Sequence, residues 1–83
     1  MTKNEFLERM KTEQISLREY LVVVDSVTDE PYIIGCYYED GLWKIYKTKE
    51  RSGHYIIDEL EDENEAFDEL YELVKFQEKK NKS

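Results

Sequence analysis

Apolar and polar positions change period several times along this chain, and each change marks an element. Thr2-Lys3-Asn4-Glu5 has the form of a capping box, a hydroxyl at the cap and Glu three residues on. Phe6, Leu7 and Met10 follow at helical spacing, which predicts a short first helix over about 3–14. Ile15-Ser16-Leu17-Arg18-Glu19 reads as a connection with apolar anchors. Tyr20 to Val24 is rich in β-branched residues and predicts a strand, and the polar stretch Asp25 to Pro31 predicts a loop. Tyr32–Glu39 and Leu42–Lys49 then flank Asp40-Gly41, a pair suited to a two-residue type I′ hairpin because both positions tolerate φ > 0.

That turn sets a register. Glu39 opposes Leu42, Tyr38 opposes Trp43 and Cys36 opposes Ile45, so Ile34, Cys36, Tyr38, Trp43 and Ile45 share one predicted core face. Tyr37, Lys44, Tyr46 and Lys47 are expected on a second, wetter face, although Lys47 falls opposite Ile34 at the open end of the hairpin. Glu50-Arg51-Ser52-Gly53 predicts another turn and His54–Leu60 a fourth strand. Asp62-Glu63-Asn64-Glu65 is a second capping-box form. It opens a helix expected over about 63–78, with Ala66, Phe67, Leu70, Leu73 and Val74 on one side. The expected fold is a single α+β domain over residues 1–83. It comprises a short N-terminal helix, a four-stranded antiparallel meander and a long C-terminal helix packed on one sheet face.

Composition agrees with a small folded globule. The chain has 83 residues, 40% of them apolar and 13% aromatic, too many aromatics for a disordered acidic segment. Its single cysteine, Cys36, leaves no partner for an internal disulfide, which favours the cytoplasm over secretion. No apolar run reaches the roughly 20 residues that span a membrane, and the N-terminus lacks a basic–apolar signal pattern.

Charge changes the picture more. The net charge is −8, and the segment from Asp58 to Glu72 accounts for all of it, with nine carboxylates and no Lys or Arg. Such a local field steers basic partners and repels nucleic acid and anionic membranes. On a helical wheel Glu61, Glu65, Asp68 and Glu72 line up opposite the apolar side, with Glu69 beside them. Helix-dipole attraction explains Asp62, Glu63 and Glu65 but dies out within the first turn, before Asp68, Glu69 and Glu72. Like charges at i,i+4 cost a few tenths of a kcal/mol per pair. The lysines near the helix end, Lys75, Lys79, Lys80 and Lys82, suit its negative pole and are not placed to neutralise the stripe.

Catalytic chemistry finds little footing. His54 is the only histidine and stands beside a glycine turn, while Cys36 falls on the predicted core face, where a thiol is packing material. There is no phosphate-cradling glycine loop, zinc ligand set, calcium loop or serine elbow, so neither cofactor nor metal is expected. An aromatic strand face can stack bases, but the acidic balance argues against direct nucleic-acid binding. The one basic cluster, Lys44, Lys47, Lys49 and Arg51, suits charge balance or a protein contact.

Asp40-Gly41-Leu42-Trp43-Lys44-Ile45-Tyr46, Glu50-Arg51-Ser52-Gly53 and Glu63-Asn64-Glu65-Ala66-Phe67 together resemble the small single-domain immunity proteins of bacterial polymorphic toxin systems. Members carry a "dGkWxVY" strand, a Glu-Arg-Gly turn and a final helix opened by "eeeAf"; here Ser52 sits inside the triplet. The resemblance covers roughly residues 30–75. It implies a cytoplasmic, non-enzymatic inhibitor that binds a cognate toxin and blocks its active site. The expected partner is a basic protein, with Glu61, Glu65, Asp68, Glu69 and Glu72 steering it and exposed Tyr37, Tyr46 and Tyr71 as anchors. An acidic phage or mobile-element protein that mimics DNA to block a host DNA-binding protein is the alternative, and a small-molecule or structural module whose aromatic hairpin lines a pocket is a third. The sequence leaves the number of copies in the assembly open.

Overall fold

A computed structural model describes residues 1–15, 17–18, 20–50 and 53–82, with side chains to residue 80. Six elements follow in order: α1 (Lys3–Thr12), β1 (Leu21–Val24), β2 (Ile33–Glu39), β3 (Leu42–Thr48), β4 (His54–Leu60) and α2 (Glu63–Lys82). The capping box at α1 is complete. Thr2 Oγ1 accepts from the Glu5 N–H at 3.2 Å, and the Glu5 carboxylate accepts from the Thr2 N–H at 3.0 Å, which holds the Glu5 carboxyl below its usual range. At α2 the Asp62 carboxylate accepts from the Glu65 N–H at 3.4 Å. The expected turn at Arg51 and Ser52, and Ser16 and Glu19 of the first connection, lie outside the described residues.

The sheet order is β1-β2-β3-β4. Asp40 and Gly41 take φ of 55° and 78°, so the hairpin turns as its residues require. The predicted β2–β3 register holds residue for residue, including Cys36 opposite Ile45 and Lys47 opposite Ile34. The expected antiparallel meander fails at its first strand: the sheet is mixed, because β1 runs parallel to β2 with Leu21 beside Ile33 and Val24 beside Cys36. The segment after β1 therefore crosses over instead of closing a hairpin, with left-handed residues at both ends, Asp25 (φ 69°) and Tyr32 (φ 60°).

The reason for the crossover lies on the sheet's second face. Tyr46, Ile33 and Thr48 are buried there, at 0%, 1% and 0% exposure, where a wet surface was expected. The crossover loop covers them: the Tyr46 hydroxyl donates to the Ser26 carbonyl at 3.0 Å, and Asp29 accepts from the His54 N–H at 3.0 Å. Gly35, directly across from Tyr46, leaves room for its ring. Parallel pairing lets eight residues serve as a lid that no helix supplies.

Both helices pack on the other face. Phe6, Ile34, Cys36, Ile45, Ala66, Phe67, Leu70 and Val74 form one buried cluster, with Phe67 between the rings of Phe6 (5.6 Å) and Trp43 (5.2 Å). Tyr38, expected in this core, is 56% exposed because it sits by the hairpin tip and packs only edge-on to Trp43. Lys47 belongs to this face as well, not to the second one. Its ammonium donates to Gln77 at 3.3 Å and lies 5.0 Å over the Tyr20 ring. Burial lowers the Lys47 pKa.

Candidate functional site

Strand β4 is an edge strand and α2 returns beside it after a short turn, so the acids of both elements converge on one corner. The structure divides the expected stripe into three groups. Glu61, Glu65 and Glu72 are exposed and make no ion pair among the described residues. Asp68 is exposed but paired with the amino group of Met1. Glu69 turns toward β4 and is half-buried against Asp58. Desolvation, and then the neighbouring Asp58 carboxyl, raises its pKa. Its Oε2 is buried with no hydrogen-bond partner among the described residues.

The other corner acids are structural. Glu63 accepts from the Lys3 N–H at 3.0 Å, and the Asp58 carboxylate accepts from the Glu59 N–H at 2.8 Å. Glu59 lies 3.9 Å from Lys44, which also pairs with Glu39 at 3.1 Å.

The three tyrosines do not form one exposed surface. Tyr46 is fully buried under the crossover loop and cannot be the exposed anchor expected of it. Tyr37 is half-buried on the same face, edge-on to Tyr46 at 5.6 Å. Tyr71 lies on the α1–α2 seam, where its hydroxyl donates to both Glu13 oxygens at 2.7 and 2.8 Å and the Arg9 guanidinium sits 5.5 Å from its ring. These bonds hold the Glu13 carboxyl below its usual range.

On this corner the exposed apolar residues are others: Tyr55, Ile56 and Ile57 on β4 are 39–41% exposed and Phe76 on α2 is 65% exposed. A signal existed in the sequence, since Tyr55-Ile56-Ile57 breaks the alternation of a half-buried strand. The break is a β-bulge, with Ile45 facing Asp58 and Tyr46 facing Ile56 so that Ile57 is extra. Ile57, Asp58, Glu69, Glu72, Leu73 and Phe76 line an open groove of about 410 Å³ between β4 and α2.

Cys36 and His54 lie on opposite faces of the sheet. Cys36 is in the α2-facing core, where burial pushes its thiol up to about 12, and His54 packs on Tyr46 and Asp29. Among the described residues no group of three or more His, Cys, Asp or Glu is arranged to hold a metal ion, and no helix is long and apolar enough to cross a membrane. Of the basic cluster, Lys47 and Lys49 lie over tyrosine rings and Lys44 is ion-paired, while Arg51 lies outside the described residues.

No protein-family model matches the chain, and neither a characterised protein nor a solved structure is detectably similar to it.

Proposed function

We propose that the chain is a non-enzymatic cytoplasmic binding protein that captures a basic partner protein on the β4–α2 corner, acting as an immunity protein toward a toxin domain. One observation carries this reading: Glu61, Glu65 and Glu72 stand exposed on that corner without an ion pair among the described residues. Glu61 precedes α2 and Glu65 sits in its first turn, where the helix dipole favours a negative charge, but neither is neutralised by a cation among the described residues, and Glu72 lies beyond the reach of the dipole among like charges that cost stability. A basic surface compensates them, and its approach is accelerated by the field they make. Their confinement to one corner favours a single protein partner over mimicry of a nucleic acid, which calls for carboxylates along an extended surface.

The test is co-expression with basic toxin domains, beginning with any encoded beside its gene. Protection of growth by the wild-type chain, lost when Glu61, Glu65 and Glu72 are all changed to Gln in a folded variant, supports the reading. Equal protection by that variant refutes the corner as the binding surface.

A further inference from the structure

The exposed carboxylates account for attraction at a distance and leave unexplained why an apolar groove opens beside them. Three of its six lining residues, Ile57, Leu73 and Phe76, are apolar, and the other three, Asp58, Glu69 and Glu72, are acids. The apolar residues and the acids therefore form one continuous wall. No cation lines it. Lys75 and Lys79 border Phe76 on its far side, and Lys75 is held by Glu13 at 3.4 Å and Glu78 at 3.1 Å.

We infer that this groove receives an arginine side chain of the partner protein, its aliphatic stem on Ile57, Leu73 and Phe76 and its guanidinium on the Asp58–Glu69 carboxyl pair. The inference rests on the proposed capture of a basic protein and names the contact that would give it specificity. Three observations fit this occupant, and one of them, the carboxyl pair, is left unsatisfied by an apolar side chain. The groove holds about 410 Å³, room enough for one long side chain. Its lining brings the Asp58 and Glu69 carboxyls together, and Glu69 Oε2 has no donor among the described residues. A planar fork of five N–H groups can serve two carboxylates at once, which the compact lysine ammonium does less well. Phe76, 65% exposed, offers a ring face on which a guanidinium can stack.

Strand addition to the β4 edge fits less well. The bulge at Ile57 breaks the edge, and its His54 and Glu59 N–H groups are taken by the carboxylates of Asp29 and Asp58. An entering arginine needs only side chains.

The probe is N-acetyl-arginine N-methylamide, compared with its uncharged citrulline isostere and its lysine counterpart, titrated into ¹³C-labelled protein and followed by NMR. The expected result is saturable shifts of the Ile57 and Leu73 methyls and the Phe76 ring with arginine, at least about tenfold weaker binding with citrulline, and weaker binding with lysine. Glu69→Gln, checked as folded by its spectrum, is expected to weaken arginine to the citrulline level. Arginine is also expected to move the Glu69 carboxyl titration to lower pH. Equal binding of all three probes, an unaffected Glu69→Gln variant, or no shift at Ile57 and Phe76 overturns the inference. Glu61→Gln with Glu65→Gln separates the two proposals, because those residues lie outside the groove. Loss of partner capture with an unchanged arginine titration supports both, whereas intact capture with lost arginine binding in Glu69→Gln overturns the groove alone.

Discussion

Gly35→Ala gives the sharpest quantitative check on the fold, because it strikes β2 where Val23 of β1 and Tyr46 of β3 both close on it. A Cβ at this position would lie 2.6 Å from Tyr46 Cε1 and Cζ and 2.6 Å from the Val23 carbonyl oxygen. Carbon atoms rest at about 3.5–4.0 Å, so the ring must retreat by about 1 Å. It has little room to do so. Its hydroxyl is held by Ser26 at 3.0 Å, and the rings of Tyr37 and His54 bracket it at 5.6 and 5.8 Å. Moving the Val23 carbonyl instead opens the β1–β2 ladder. Overpacking typically costs about 1–3 kcal/mol, and a clash on two sides belongs at the upper end, about 3 kcal/mol. With a urea m-value of about 1–1.5 kcal/mol per M for a domain of this size, the unfolding midpoint should fall by about 2–3 M. In a Tyr46→Leu background the ring is gone, and the same substitution should cost about half as much. A midpoint within about 0.3 M of wild type, or equal costs in the two backgrounds, would refute the account of the covered second face.

Other expectations follow from single groups. Glu69→Gln should raise the melting temperature at pH 7 by a few degrees, since an orphaned buried oxygen costs about 1 kcal/mol at the low end of the usual range. The sign is set by its raised pKa: the folded state binds the Glu69 proton more readily than the unfolded chain, so the charged form is a burden above the folded pKa. The gain should shrink as pH falls and vanish below about pH 4, and a gain independent of pH would contradict it. Thr2→Ala removes half of the capping box and should cost about 1 kcal/mol in urea unfolding, with α1 amides exchanging faster; unchanged exchange would count against it. Cys36, buried with its thiol pushed up to about 12, should react with a disulfide reagent only as the protein unfolds, and rapid labelling under native conditions would contradict its place in the core.

How much of this was legible in the sequence differs by element. Asp40-Gly41 dictated a turn type and thereby every pairing of β2 with β3, because period-two alternation propagates a single register along the hairpin. Thr2-Lys3-Asn4-Glu5 likewise carries its capping box in four residues. The parallel β1 was not legible, since strand direction depends on where Asp25–Pro31 travels in three dimensions. That path serves Tyr46, which looks like a wet-face residue until something covers it. Lys47 shows the limit of reading polarity as exposure. Its stem lies along the helix side and only its head group finds Gln77 and Tyr20.

The acidic stripe was visible as composition and misleading as geometry. Helical spacing places Glu61, Glu65, Asp68 and Glu72 in one row but says nothing of the Met1 amino group that takes Asp68. It also cannot show that Asp58 and the bulge at Ile57 draw Glu69 into a groove. What remains for a partner is smaller and more defined: three exposed carboxylates beside an apolar slot with a carboxyl pair in its lining.

The most direct test of the central claim is the association rate with the basic protein that the proposed function calls for, measured by stopped flow at 50 and 300 mM salt. For wild type the account predicts a rate that falls steeply with salt, and for Glu61→Gln/Glu65→Gln/Glu72→Gln a rate at least about tenfold lower at 50 mM with a flattened salt dependence. An equal rate and an equal salt slope in the two proteins would contradict it.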